Sequence, residues 1–340
     1  MPKRIIAILL SLILFLIGGI SGYVFSDTKK TEVSTYDILY KNIDNLSVTE
    51  KTNLYASKLK AETAPAEIKY LMSKIMPTVN NDIKNNMLAQ YVNHVQYYMS
   101  TYSDFISIYQ TIMKNISTTV NFQEAASADK ISDKVLKTII TEIYASDMKI
   151  VMPPSYSDAA PYILVDYTKI ESQYKGTINQ ATKDYISFKE VAQKGELADA
   201  NGKYDITKVG NYIIQANEFI TKYPQYPLVS DVIYSYILGS KMYLGTYNVS
   251  AAFIPDAPTI AKYKIFAEKN PSTPITNALK EIIVIYDKGE KIPMDKINEW
   301  NKSLDGLLGD QTQAQAQGQG AITNPTTTNT PKTTTSAQQK

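Results

Sequence analysis

The feature that most constrains this chain is the return of apolar side chains every three or four positions along most of its length. This spacing puts them on one face of a helix, and such a face must be buried against other helices. The longest example predicts a helix over 81–115, with an apolar stripe made of Ile83, Met87, Tyr91, Val95, Tyr98, Tyr102, Phe105, Tyr109 and Ile112. Because Lys149–Met152 is the best strand pattern and is too short for a sheet, we predict an all-α body.

Helix boundaries can be placed from caps and prolines. Ser47 and Glu50 form a capping box that opens one helix, and Pro65 opens the next. The Pro153-Pro154 pair breaks the helical pattern and predicts a joint between two helical domains, 34–152 and 155–308. After this joint we expect a long helix over 158–194, with Gly176 as its point of bending or interruption.

The amino-terminal segment predicts a membrane anchor. Residues 5–25 are 21 positions without a charge, and as a helix they would span about 31 Å, which matches the hydrocarbon core of a bilayer. Lys3 and Arg4 place residues 1–4 in the cytoplasm and the rest of the chain outside it. The alternative is a cleaved signal peptide with Gly19-Ile20-Ser21 as the cleavage site, which would make the protein secreted.

The carboxyl-terminal segment has a different composition. Residues 311–340 are rich in Gln, Thr and Pro, and Ile322 is their only aliphatic residue beyond alanine. Such a segment buries too little apolar surface to offset the entropy of ordering it. We therefore predict a disordered tail over 311–340, either as a solubilising extension or as a segment that enters a cell wall.

The residue inventory excludes several classes of function. The chain has no Cys and one His, His94, so thiol chemistry, disulfides and His-rich metal sites are absent. The net charge is +2 without a basic block, which argues against nucleic acid as a partner. No phosphate-binding glycine motif or serine-hydrolase motif occurs, and pairs such as Glu142 with Asp147 are interpreted as solvated helix faces. We predict no catalytic residues, no cofactor and no enzymatic activity.

One loop carries the oxygen ligands that calcium prefers. Asp199, Asn201 and Asp205 alternate around a turn, but the glycine comes one residue early and no glutamate closes the loop. Asp205 is also well placed to cap the helix that follows. We therefore predict no metal site, with calcium binding by these three residues as the alternative.

A motif repeats 47 positions apart, as Phe219–Leu228 and Phe266–Ile275, each reading F-x-x-K-x-P-x-x-P followed by Leu or Ile. Each copy places a lysine at the end of one helix and a proline at the start of the next, which predicts the turn of a helical hairpin. Together with Ala216 before the first turn and Gly245 after it, the pattern over 211–288 resembles the tetratricopeptide repeat. The 47-residue spacing exceeds the repeat of about 34 residues typical of that family.

This resemblance implies stacked antiparallel helical hairpins in the C-terminal half, and a surface that binds proteins or peptides. Conserved positions of that family are packing residues, so the resemblance transfers no catalytic role. Our leading hypothesis is a membrane-anchored extracytoplasmic scaffold that mediates protein–protein interaction, with Tyr223, Tyr226 and Tyr247 as exposed aromatic contacts. The alternative is a non-catalytic cell-surface protein that binds a glycan or cell-wall polymer through such tyrosines.

Overall fold

The computed structural model describes residues 35–60, 62–152, 161–194, 197 and 204–318, with side chains described as far as residue 308. The described part is mostly helical, so the all-α prediction is confirmed in its coarse form. Contacts divide the chain into two compact units, 1–232 and 233–340. Among the described helices, none is both long enough and apolar enough to cross a membrane. The predicted anchor at 5–25 and the joint at Pro153-Pro154 lie outside the described residues.

The described part of the first unit begins with short helices, which are followed by one long helix. Its elements include three 3-10 turns, at Ile43–Asn45, Met76–Thr78 and Ala125–Lys130. Where the structure describes this unit, its α-helices and strands before α10 are α1 Thr35–Leu39, α2 Val48–Lys58, α3 Pro65–Ile75, α4 Asn81–Ile108, α5 Gln110–Ile116, α6 Lys134–Ala145, β1 Met148–Val151, β2 Tyr162–Val165, α7 Tyr167–Tyr174, α8 Gln180–Gln193 and α9 Ile206–Lys222.

Helix α4 supplies the core of the first unit. Its stripe from Met87 to Phe105 is buried as predicted, and it packs against α3 and β2. Burying each side chain of this size stabilises the fold by about 1.5–3 kcal/mol. The ends of the predicted stripe are an exception, because Ile83 and Ile112 are exposed and the helix ends at Ile108.

A two-stranded antiparallel sheet corrects the prediction for this region. Strand β1 pairs with β2, with Met148 opposite Val165 and Val151 opposite Tyr162. The predicted long helix over 158–194 is therefore wrong at its start, where β2 is extended. Tyr162–Val165 carries aromatic and β-branched residues with inward and outward sides alternating, which suits a strand packed on α4. The helical pattern resumes in α7 and breaks before α8, close to Gly176, as expected.

The second unit, described as far as residue 318, contains the end of α10 (Val229–Tyr243) and the helices α11 Ala257–Lys269, α12 Thr276–Asp287 and α13 Met294–Gly318. Helices α11 and α12 pack against each other, and the buried Trp300 of α13 donates its indole N–H to Glu281 Oε2 at 3.2 Å. Helix α13 continues to Gly318, so the predicted disorder does not begin at Gln311. Residues 311–318 are mainly Gln and Ala, which have high helix propensity and extend a helix that is already nucleated.

Candidate functional site

The first copy of the repeated motif forms a tight connection between α9 and α10. The Tyr223 N–H donates to the Phe219 carbonyl at 2.8 Å, and the Tyr226 N–H donates to the Tyr223 carbonyl at 3.0 Å. The Val229 N–H then donates to the Tyr226 carbonyl at 2.9 Å as α10 begins. The two prolines of the motif lie between these donors, at positions whose N–H takes no part in the ladder. The missing proline N–H therefore removes no hydrogen bond from the turn.

The second copy repeats this hydrogen-bond ladder in the second unit. The N–H groups of Asn270, Thr273 and Thr276 donate to the carbonyls of Phe266, Asn270 and Thr273 at 2.9, 3.3 and 3.0 Å. Asn270 has φ −127° and ψ 58°, and its counterpart Tyr223 has φ −130° and ψ 55°. The prediction that each motif joins two helices is therefore confirmed.

Tyr223 is half-buried and belongs to a polar cluster on the first unit. Its hydroxyl donates to Asp184 Oδ2 at 2.8 Å, and Lys222 Nζ donates to the same oxygen at 3.2 Å. Burial alone would raise the pKa of Asp184, but hydrogen bonds from Gln180, Tyr223 and Lys222 outweigh it and lower that pKa. The Lys222 ammonium also lies 4.8 Å from the centre of the Tyr223 ring. Tyr223 is thus held by its neighbours and presents only part of its ring.

Tyr226 is not an exposed contact, so the prediction of its exposure is wrong. Only 7% of this residue is exposed. Its ring lies 5.5 Å from that of Tyr185 and 5.4 Å from that of Phe219, and its hydroxyl donates to Thr182 Oγ1 at 3.4 Å. The hydrogen-bond ladder turns Tyr226 inward, where it fills the space between α8 and α9.

Tyr247, in the second unit, is 45% exposed, as predicted. It follows the end of α10, where Gly245 has φ +71° and the N–H groups of Thr246 and Tyr247 donate to the Lys241 carbonyl at 2.8 and 3.1 Å. A side chain at Gly245 would be strained at this φ, and its Cβ would come within 3.3 Å of the Phe253 ring. Gly245 thus ends the helix and directs Tyr247 outward.

Other large apolar side chains of the second unit are also exposed, and sequence reasoning did not single them out. They are Tyr234, Ile254, Ile265 and Val284. Ile265 lies on α11 and Val284 on α12, among charged residues that face solvent. For Ile265 and Val284, the charged residues three and four positions away gave a partial signal in the sequence, because they mark these two positions as lying outside the buried stripe.

A buried carboxylate in the first unit corrects the interpretation of Asp147 as solvated. Its side chain has no exposed surface. Lys69 Nζ lies 2.6 Å and Lys169 Nζ 3.2 Å from Asp147 Oδ1, and the Tyr91 hydroxyl donates to Oδ2 at 3.0 Å. Asp147 has φ +53°, a left-handed conformation that aspartate tolerates better than most residues. Nothing in the sequence could indicate this cluster, because its members are distant along the chain.

The chemistry of the Asp147 cluster is that of a structural ion pair. Burial lowers the pKa of Lys69, an effect that the adjacent carboxylate of Asp147 opposes. Burial and the same carboxylate hold the pKa of Tyr91 well above its usual range. Both oxygens of Asp147 are occupied and inaccessible, and the cluster joins α3, α4 and α7.

Glu142 serves as a distant cap for α3. Ala64, the residue before this helix, provides no side-chain hydrogen bond, and the Ala66 N–H donates instead to Glu142 Oε1 at 3.3 Å. The Ser146 hydroxyl donates to the same oxygen at 3.2 Å. Burial raises the pKa of Glu142 to about 6, although these hydrogen bonds act in the opposite direction. This carboxyl group therefore changes charge at mildly acidic pH.

The candidate calcium loop is only partly described. Asp205 accepts hydrogen bonds from the Thr207 and Lys208 N–H groups at 2.8 and 3.3 Å, which confirms it as the cap of α9. Asp199 and Asn201 lie outside the described residues, so the calcium alternative stays untested. Within the described ranges, no group of three or more histidine or acidic side chains is arranged to hold a metal ion. His94 is buried and its Nε2 lies 2.7 Å from the Thr63 carbonyl oxygen.

An open pocket of about 370 Å³ lies on the first unit, between the segment after α5 and the end of β1. Its lining is mainly polar, with hydroxyl, amide and charged side chains that include Thr118, Asn121, Gln123, Glu124, Ser127 and Lys130. Such groups can donate and accept hydrogen bonds with a small hydroxylated molecule.

Comparisons with protein-family models, with curated proteins and with solved structures find no match for this chain.

Proposed function

We propose that this protein is a membrane-anchored extracytoplasmic scaffold that binds another protein or a peptide. Residues 5–25 anchor it, residues 1–4 lie in the cytoplasm, and the helical body lies outside. The C-terminal half consists of helical hairpins similar to tetratricopeptide repeats. Tyr247 and the other exposed apolar side chains of the second unit make the contacts.

The observation that carries this proposal is the repeated turn. Two segments 47 positions apart share a motif and a hydrogen-bond ladder, which supports construction from two-helix units. Proteins built from such units use extended surfaces to bind partners. Exposed aromatic side chains further support binding, because tyrosines are enriched among the residues that dominate interface energies.

Site-specific photo-crosslinking in intact membranes tests the proposal. A photo-reactive amino acid replaces Tyr247 in one variant and Tyr97 of the first unit in the other. The two tyrosines are a matched pair, since they are 45% and 48% exposed. We expect one discrete protein to be crosslinked from position 247 and not from position 97.

The affinity of the crosslinked protein then provides a quantitative test. We expect Tyr247→Ser to weaken binding by about 2 kcal/mol, roughly thirtyfold in Kd, as for a residue at the centre of an interface. Tyr97→Ser should leave Kd unchanged. Equal crosslinking from both positions would contradict a partner site on the second unit. So would a Kd that is unchanged by Tyr247→Ser.

The polar pocket favours a second candidate function, the binding of a glycan or cell-wall polymer. In this alternative, purified wall material would sediment the protein, Gln123→Ala and Ser127→Ala would abolish sedimentation, and Tyr247→Ser would not affect it. Hydrolysis of the polymer, lost on changing one carboxylate, would instead identify an enzyme.

A further inference from the structure

Helix α1, the first described helix of the first unit, holds Tyr36 and Asp37 against α3. The Tyr70 hydroxyl donates to Asp37 Oδ1 at 2.7 Å, and the Tyr36 ring lies 5.6 Å from the Tyr70 ring. Tyr40, just after the helix, is buried and donates its hydroxyl to Glu67. These contacts fix the orientation of α1 about its own axis where it packs against α3.

In this orientation, the aliphatic residues of α1 point away from the protein. Ile38 is 66% exposed and Leu39 is 60% exposed. Val48, at the start of α2, is exposed as well. This arrangement departs from that of a helix on the surface of a globular protein, whose aliphatic residues face the core. It suits a helix whose outer side meets an apolar medium.

The predicted anchor places α1 close to a bilayer. It ends at Phe25, and α1 begins at Thr35, so nine residues separate them. Nine residues reach at most about 32 Å when fully extended. Ile38 and Leu39 therefore cannot leave the neighbourhood of the membrane surface while the anchor is inserted.

The charges of this region do not specify anionic lipids. Residues 26–41 contain three lysines and three acidic residues, which gives no net charge. An association driven by aliphatic side chains is expected to persist in neutral lipid, whereas one driven by a basic patch requires anionic headgroups.

From these observations we propose that Ile38 and Leu39 insert into the interfacial layer of the bilayer that holds the anchor. This inference rests on the anchoring in the proposed function and deepens it. Insertion at two points, the anchor and α1, fixes which end of the first unit faces the membrane. The partner is the lipid surface itself, at the depth where apolar helix faces dock.

The absence of cysteine allows a direct test with the full chain. Phe15→Cys, Ile38→Cys and Ile108→Cys are each labelled with an environment-sensitive fluorophore and reconstituted into phosphatidylcholine vesicles, with or without phosphatidylglycerol. Ile108 is the matched control, because it is an isoleucine of the same unit and is 74% exposed. Nitroxides attached to the lipid then report proximity to the bilayer by quenching.

We expect the labels at 15 and 38 to emit at shorter wavelength and to be quenched, in both lipid mixtures, while the label at 108 is neither shifted nor quenched. Quenching at 15 without quenching at 38 overturns the inference and leaves the anchor intact. A blue shift at 38 without lipid quenching also overturns it, because it indicates contact with protein. Absence of quenching at both positions overturns the anchor and the inference together.

Discussion

The two copies of the turn share a backbone and differ in what holds their side chains. In the first, Tyr226 packs on Tyr185 and Tyr223 donates to Asp184, so the turn is fixed by residues of α8 about forty positions earlier. In the second, the corresponding Thr273 and Asn270 find partners within the turn. The Asn270 side-chain amide donates to the Phe266 carbonyl at 3.0 Å, and the Thr273 hydroxyl donates to the Asn270 carbonyl at 3.2 Å.

This difference separates two sources of stability. The phenylalanine, lysine and prolines of the motif determine the path of the chain, because both copies form the same ladder with different residues between them. The variable residues decide whether the turn depends on distant elements. The same division recurs elsewhere, since Asp147 and Glu142 have distant partners whereas Ser47 has a local one.

The largest expected effect is at Tyr226. Tyr226→Ala removes a buried aromatic ring and leaves a cavity beside Tyr185 and Phe219, which should lower the free energy of unfolding by about 3–5 kcal/mol. The equivalent change, Thr273→Ala, removes local hydrogen bonds and should cost about 1 kcal/mol. Urea unfolding followed by circular dichroism measures both.

Tyr226→Phe is the control, because it keeps the ring and loses only a hydrogen bond of 3.4 Å. It should cost less than about 1 kcal/mol. Equal losses for Tyr226→Ala and Thr273→Ala would show that the ladder alone stabilises each turn, and the comparison would fail.

The buried carboxylate of Asp147 offers a second test of whether a connection depends on residues distant along the chain. Asp147→Asn preserves the shape of the side chain and its tolerance of φ +53°, but leaves Lys69 without its charged partner. We expect a loss of about 3 kcal/mol in the free energy of unfolding, as when one partner of a buried pair is removed. Asp184→Asn is the matched control, because its ion pair with Lys222 is partly exposed and should contribute less than about 1 kcal/mol. Similar losses for the two variants would contradict the structural role of Asp147.

The local features were predictable from sequence for a physical reason. A cap, a turn or an apolar stripe depends on residues within a few positions of each other, so the Ser47–Glu50 box, both proline turns and the middle of α4 were identified correctly. Apolar spacing alone did not separate β2 from a helix. Tyr162–Val165 is a short apolar run, and its state is decided by pairing with β1 and packing on α4.

The candidate site was less predictable, because exposure depends on distant neighbours. Tyr223 and Tyr226 have the same residue type, three positions apart in one turn, yet one is half-buried and the other is core. Aspartate is typical of protein surfaces, and the burial of Asp147 depends on its ion pairs with Lys69 of α3 and Lys169 of α7. Tyr247 is exposed as predicted, and the structure supplies a local cause that the prediction did not use, since Gly245 ends the helix two residues before it.

The distant cap of α3 predicts a dependence of stability on pH. Burial raises the pKa of Glu142 from 4.5 to about 6, so between these values the folded chain binds a proton that the unfolded chain does not. The stabilising contribution of protonated Glu142 to the free energy of unfolding is therefore fully present below about pH 4.5. It is lost as the pH rises through 6. Glu142→Gln should remove this dependence and raise the free energy of unfolding at pH 7 by about 2 kcal/mol. Urea unfolding at a series of pH values measures it, and a variant less stable at pH 7 would show that the ionised carboxylate is needed as the cap.

The smallest expected effect is at the local cap of α2, where distance along the chain no longer matters. The Glu50 N–H donates to Ser47 Oγ at 3.3 Å, and the Ser47 N–H donates to Glu50 Oε2 at 2.8 Å. Ser47→Ala should cost about 1 kcal/mol and speed hydrogen exchange in the first turn of α2, while Thr49→Ala, in the same exposed turn, should leave exchange unchanged. Because both capping partners lie in one turn, faster exchange should stop within α2. Faster exchange in α3 as well would show that even this cap acts through tertiary packing, and that the local and distant caps are not separate devices.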